Sequence, residues 1–330
     1  MSGHGRDGAY APARWLPGPH AMTVYANLAR PHPQLLATRQ RWELPDGDFV
    51  DVDRIAAPDP GAPVVVVCHG LEGSSTAGYV RAFSAEARRG GLAVLAMNFR
   101  GCSGEPNRLP RLYHSGDTGD LWEVVRRLAA ERPGRPILLA GYSLGGNVVA
   151  KLLGDRGDDL PAELRAAAVI SVPFDLAASA RAIDGPGFMA LVYRERFLRR
   201  LRRKALEKAR RFPGLVDRRA VRSARSFAEF DERVTAPIHG FAGAADYWGR
   251  SSSGRTLPGV RRPLLAVASL DDPMVPPEAL PRDASARSPS VTLELQPTGG
   301  HVGFVSGTPW RPTWWAERRA VEFLAERAGL

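Results

Sequence analysis

The pentapeptide GYSLG at 141–145 has the composition of a sharp strand-to-helix turn built around a serine. The apolar run PILLAG (136–141) enters it, and LGGNVVAKLLG (144–154) leaves it with a helical pattern. On such a turn Ser143 stands exposed at the end of the strand, and side chains on the two flanking positions would collide, which Gly141 and Gly145 avoid. The positive end of the following helix faces whatever the serine holds. A hydroxyl placed there could attack a carbonyl carbon, provided that a neighbouring base takes its proton.

The groups able to serve that serine lie far down the chain, in the order acid then histidine. ASLDDPMVP (268–276) follows the apolar run PLLAVAS (263–269), and GGHVGF (299–304) follows SVTLELQ (290–296). Of seven histidines, His301 alone comes after position 239, which makes it the expected base. Asp271 and Asp272 compete for the acid. The spacing Asp-x-x-Val-Pro from 272, stiffened by Pro273, favours Asp272 and leaves Asp271 as a loop-structuring or solvent-facing residue. A developing oxyanion needs two backbone donors. Leu144, after the serine, would give one. Leu71 would give the other, from HGLEGSS (69–75), where Gly70 and Gly73 let the backbone turn inward.

The elements that must hold these side chains alternate along the chain. PVVVVCH (63–69), LAVLAMN (92–98), PILLAG, AAAVISV (166–172), PLLAVAS and SVTLELQ are short, β-branched or apolar runs, as strands buried on both faces require. AGYVRAFSAEARRG (77–90), a segment over 119–132 capped by Asp117 or Thr118, residues 144–154 and TWWAERRAVEFLAERA (313–328) read as helices. Strand–helix alternation implies an α/β fold: a mostly parallel sheet flanked by helices. RWEL (41–44) and FVDVDR (49–54) read as a strand pair joined by the turn at 45–48. Residues 174–258 have no clear buried strand and read as a helical cap inserted between two core strands. The expectation is one domain, with its core at 36–173 and 259–330 and an irregular, Pro-rich segment at 1–35.

Composition bounds the partners. The 330 residues are 44% hydrophobic and 24% charged, near globular averages. No apolar run approaches the roughly 20 residues of a membrane helix. The N-terminus lacks signal-peptide character, and two cysteines make no disulfide framework, so a cytoplasmic location is expected. The net charge is +10, yet residues 194–211 alone hold ten Lys/Arg against two Glu. Such concentration is unlike a uniformly basic nucleic-acid binder. Phe197, Leu201, Ala205 and Ala209, with Leu198 and Phe212 beside them, form an apolar stripe on this basic helix. It reads as a cap helix with a solvated basic face, or as a surface that attracts anionic substrates or associates weakly with an anionic membrane. Phe174, Phe188, Met189, Leu191 and Tyr193 are expected to form an apolar acyl pocket. Asn98 and Arg100 read as loop braces, His114 as a buried hydrogen-bonded histidine and Cys68 as a packed core residue. No metal-ligand spacing, P-loop or dinucleotide motif occurs.

Together HGLEGSS (69–75), NFRGCSG (98–104), LYHSGDTGDL (112–121), GYSLGGN (141–147), FDERVTAP (230–237), DDP (271–273) and GGHVGF (299–304) resemble the YheT-like branch of the α/β-hydrolase superfamily, related to the animal ABHD1/ABHD3 group and plant EMB8-like proteins. The resemblance covers roughly residues 10 to 305. It implies Ser143, Asp272 and His301 as a catalytic triad, hydrolysis of acyl esters, and no cofactor. The expected substrates are short- to medium-chain esters, cleaved through an acyl-enzyme. A lipid or acylglycerol lipase, a perhydrolase, and a non-catalytic binding module are the alternatives on the same fold. Membrane-lipid substrates are the weaker implication, because no N-terminal anchor like that of the animal relatives is seen.

Overall fold

The computed structural model describes residues 9–283 and 286–330. The first eight residues of the N-terminal segment, and residues 284–285, lie outside the described residues. In chain order, α1 (Gly18–Ala29) precedes β1 (Thr38–Glu43) and β2 (Phe49–Ile55). Then come β3 (Val64–Cys68), α2 (Gly78–Arg89), β4 (Ala93–Asn98), α3 (Gly119–Glu131), β5 (Ile137–Tyr142), α4 (Leu144–Arg156) and β6 (Leu164–Ile170). Six helices follow: α5 (Leu176–Ile183), α6 (Phe188–Arg211), α7 (Arg218–Ser223), α8 (Phe227–Phe230), α9 (Ala236–His239) and α10 (Ala244–Ser251). The chain closes with β7 (Leu264–Ser269), β8 (Val291–Gln296), the hairpin β9 (Val305–Thr308) and β10 (Arg311–Trp314), and α11 (Trp315–Ala328).

Eight strands form one sheet in the order β1-β2-β4-β3-β5-β6-β7-β8. From β4 to β8 all neighbours are parallel, and β2 runs antiparallel to both β1 and β4. Val64, Val65, Val66 and Val67 in β3 face Ile137, Leu138, Leu139 and Ala140 in β5, and all are buried. Alternate side chains thus enter opposite layers. One core holds Val66, Leu139 and the inner faces of α3 and α4; the other holds Val65, Leu138 and the inner faces of α2 and α11. Because β3 lies between β4 and β5, successive connections leave it in opposite directions. The crevice this opens at the C-terminal strand ends is where such sheets take ligands. Ser143 follows β5 at that edge, and residues 69–75 follow β3.

Two segments differ from the sequence expectation. The N-terminal stretch is not irregular throughout: α1 spans 18–29, with proline in its first turn, where the missing N–H costs nothing. Its buried Met22 and Ala26 pack on Ala13 and Val305. Residues 313–314, expected to be helical, belong to β10, which pairs with β9.

Candidate active site

The backbone of the turn at Ser143 is strained, with φ 50°. The strain holds because nothing larger than hydrogen fits beside it. A Cβ on Gly141 would sit 2.6 Å from the carbonyl oxygen of Gly145, and one on Gly145 would sit 2.5 Å from that of Cys68. Among the described residues, the non-glycine positions with positive φ are Glu72, Ser143, Ser171, Val302 and Phe304. All five lie in the loops after β3, β5, β6 and β8, so the backbone strain gathers at one edge of the sheet.

Those loops bring the distant side chains together. Ser143 Oγ lies 3.0 Å from His301 Nε2. His301 Nδ1 lies 2.9 Å from Asp272 Oδ2 and 3.1 Å from Oδ1. Asp272 is oriented in turn by the N–H groups of Met274 (2.8 Å) and Val275 (3.0 Å), both donating to Oδ1. Asp271 turns away and accepts from Gly300 N–H at 2.9 Å, bracing the histidine loop. On the opposite wall, Gly70 N–H donates to Tyr79 Oη and Glu72 N–H to Tyr113 Oη. Ser143 N–H donates to Ile170 O. The amides of Leu71 and Leu144 donate to no protein acceptor among the described residues, and both residues line the cavity at Ser143.

Gly70 and Gly73 do not adopt the left-handed conformation; Glu72 does, with φ 55°. The glycines serve close approach instead. A Cβ on Gly70 would touch Ser143 Cβ at 3.3 Å, and one on Gly73 would press on Tyr79 Oη at 2.6 Å.

Several supporting residues were not legible beforehand. His69 is fully buried, and burial lowers its pKa to about 4. Its ring is therefore neutral, with Nδ1–H donating to Gly70 O (2.7 Å) and Nε2 accepting from Phe99 N–H (3.2 Å). That fixes the loop carrying Leu71. The histidine loop is pinned from the N-terminal segment: His301 N–H donates to Thr23 Oγ1 at 2.9 Å, and Arg30 donates to Val302 O at 2.8 Å. Arg30 also pairs with the buried Glu317 at 3.2 Å. The braces at Asn98 and Arg100 take the structural roles expected of them. Asn98 joins Ser75 N–H to Asp51 O, and buried Arg100 holds Asp120 bidentately together with Asp46 and Asp48. Half-buried His114 accepts from Gly116 N–H at 3.1 Å, and Cys68 is fully buried in β3.

An apolar cavity of about 110 Å³ opens at Ser143 beneath the helices between β6 and β7, lined by Leu176, Ile183, Phe197, Leu201, Phe227 and Trp248 among others. The residues expected there are elsewhere. Phe174 packs into the sheet core; Phe188 and Leu191 are 77% and 49% exposed, Met189 is half-buried outside the cavity, and Tyr193 lines a second cavity. The inner face of α6 is set by Phe197, Leu201 and Ala205, and the first turn of that helix points outward on this phase. The basic helix has the solvated face expected of it, with Arg196, Arg199, Arg200, Arg203, Arg210 and Arg211 exposed, but several of its cations also bind the rest of the chain. Lys208 and Arg211 donate to Asn107 O, Arg202 to Ala224 O, and Lys204 pairs with the buried Glu72 at 2.9 Å. These four cations hold the helix to the loops and helices beneath it.

Asp231, from the FDERVTAP motif, begins a π-helical turn and lines the apolar cavity. Its carboxylate accepts from Thr235 Oγ1 (2.7 Å) and Trp248 Nε1 (2.9 Å), with no ion pair among the described residues. Burial raises its pKa from 3.8 to about 6. The folded state thus binds this proton more tightly than the unfolded chain. The associated stability is complete below the ordinary carboxylate range and is lost as pH rises through about 6, by up to about 3 kcal/mol. Asp231→Asn is expected to flatten that slope, so its melting temperature gains on the wild type between pH 4.5 and 7.

Residues 63–308 match a family model described as the alpha/beta hydrolase fold. The chain is 38% identical over 319 residues to YheT of Escherichia coli (strain K12), which carries the name of an esterase; the match covers 96% of this chain and 92% of that protein. Phospholipase ABHD3 of Mus musculus is 31% identical over 264 residues, covering 79% of this chain and 63% of that protein. The Pyrococcus furiosus esterase Pf2001 superposes with a TM-score of 0.58 at 16% identity, covering 99% of this chain and 100% of that one, a likeness of fold.

Proposed function

The chain belongs to the α/β-hydrolase family, in its YheT-like branch, and is a carboxylic ester hydrolase; we propose that it works through an acyl-enzyme formed on Ser143. The observation that carries this reading is the continuous chain of hydrogen bonds from Ser143 Oγ through the His301 ring to Asp272, at 3.0 and 2.9 Å. His301 Nε2 takes the serine proton as Oγ attacks the ester carbonyl carbon. The carbonyl oxygen becomes an oxyanion held by the Leu71 and Leu144 amides, each worth roughly 3 kcal/mol. The tetrahedral intermediate collapses, and the imidazolium returns the proton to the leaving alcohol. Water, deprotonated by the same histidine, then cleaves the acyl-enzyme, and the acid departs. Asp272 keeps the proton on Nδ1 and stabilises the imidazolium.

The α5–α10 segment acts as the cap, and the apolar cavity beneath it takes the acyl chain. Its walls of leucine, isoleucine and phenylalanine, with no Lys or Arg, suit a short- to medium-chain alkyl group better than a charged peptide. The phospholipase name of ABHD3 fits the same seating of an acyl chain. A fluorophosphonate probe tests the nucleophile directly: covalent attachment to Ser143, found by peptide mass, is expected. Attachment at another serine overturns the choice of nucleophile, and no attachment overturns the proposal and favours a non-catalytic binding role.

A further inference from the structure

A second cavity, of about 350 Å³, shares Leu71, Ser143, Phe197, Met274 and His301 with the apolar one but extends between α1, the loop after β3, and α6. Its character is different. Arg30, Arg196 and Arg200 line it, with Asn27, Ser74 and Thr76. The charges do not cancel evenly. Arg30 is paired with Glu317, and the Glu72 carboxylate is taken up by Lys204 and Tyr113. Arg196 and Arg200 have no ion pair among the described residues. Arg196 Nη2 donates to Asn27 Oδ1 at 3.2 Å, and Arg200 Nη1 to the carbonyl of Glu72 at 3.1 Å. A guanidinium has five N–H donors, so each keeps several to offer. Both residues are solvent-exposed where they line the cavity; partial desolvation and the neighbouring Arg200 charge still lower the pKa of Arg196, as expected when two cations are held close without a counter-ion.

An ester bound at Ser143 has two halves and finds two cavities of opposite character. The apolar one, free of Lys and Arg, suits the acyl chain. We propose that the second cavity holds the alcohol half, and that this alcohol carries an anionic oxygen group, a phosphate, gripped by Arg196 and Arg200. This rests on the ester-hydrolase reading above. Planar guanidinium forks match phosphate oxygens bidentately, and the bound anion would relieve the repulsion between the two arginines. Arg194, Arg202, Lys204, Lys208 and Arg211 are spent on partners within the chain, whereas Arg196 and Arg200 line the cavity that holds Ser143.

The test compares two esters with the same hexanoyl group, one of glycerol and one of glycerol phosphate. The wild type is expected to prefer the phosphate ester. In Arg196→Gln/Arg200→Gln the ratio of kcat/KM, anionic over neutral, is expected to fall about 10- to 100-fold, chiefly through KM. Arg200 also touches the loop carrying Leu71, so its loss can slow both esters; the ratio cancels that effect, and Arg196→Gln alone should still lower it about tenfold. The corresponding lysine variants should restore part of the preference. The palmitoyl esters of glycerol and of glycerol phosphate in phosphatidylcholine vesicles form the second arm, which separates a lipid headgroup from a soluble phosphoester. A ratio that falls in either arm supports the inference. A wild type that cleaves the neutral ester, with a ratio unmoved in both arms, overturns the inference alone. A wild type that cleaves neither ester and takes up no fluorophosphonate overturns the hydrolase reading and this inference with it.

Discussion

Replacing Ser143 with alanine is expected to lower kcat for ester hydrolysis by a factor on the order of 10⁴ to 10⁶ while the protein stays folded. The two halves of that expectation have separate grounds. The hydroxyl makes one side-chain hydrogen bond, to His301. Without it no acyl-enzyme forms, and only substrate binding and the Leu71 and Leu144 amides remain to favour direct attack by water. The turn itself does not depend on the hydroxyl. Its strained φ is imposed by the Ser143 N–H bond to Ile170 O and by Gly141 and Gly145 packing against neighbouring carbonyls. Alanine meets the same backbone cost as serine there, so the melting temperature should stay near that of the wild type. The measurement is steady-state hydrolysis of a hexanoyl ester beside a thermal melt. A folded variant keeping more than about a tenth of the activity would place the nucleophile elsewhere.

What the sequence disclosed follows from which interactions are local. The strands around β3 and β5 are legible because a strand buried on both faces must be apolar throughout, as VVVV and ILLA are. The serine turn is legible because its glycines answer a steric demand within five residues. The order of Ser143, Asp272 and His301 follows from each lying just past a readable strand. The helix α1 is hidden by its Gly-Pro start and by having only three buried positions, Met22, Thr23 and Ala26, whose partners at His301 and Val305 lie far away in sequence. The same distance hid Thr23 and Arg30, which hold the histidine loop from the N-terminal segment. The acyl-cavity residues were misassigned because hydrophobicity does not give the rotational phase at a helix start: Phe188 and Leu191 point out, Phe197 and Leu201 in. The basic helix is legible in its solvated face but not in the cations that turn inward. Composition counts charges, whereas burial of Lys208 and the pairing of Lys204 with Glu72 depend on carbonyls and carboxylates contributed by loops about a hundred residues earlier.

Asp272→Asn is expected to lower kcat by a factor of about 10⁴, and Asp271→Asn by far less, although the two residues are adjacent and isosteric. The hydrogen bonds around Asp272 give the reason. Its Oδ1 receives Met274 N–H and Val275 N–H, while Oδ2 lies 2.9 Å from His301 Nδ1. An asparagine at 272 must put its oxygen where those two backbone donors point. Its NH₂ group then faces the histidine ring and donates to Nδ1. The imidazole is forced to carry its proton on Nε2, which faces Ser143 and can no longer accept from the hydroxyl. The geometry survives but the tautomer is wrong, and the imidazolium also loses the adjacent charge. At 271 an asparagine oxygen still accepts from Gly300 N–H, so the loop that presents His301 keeps its brace. Parallel kcat measurements on the two variants, with melts to verify folding, separate them. A larger loss at 271 than at 272 would reverse the assignment of the acid and, with it, the account of how His301 is held ready to take the serine proton.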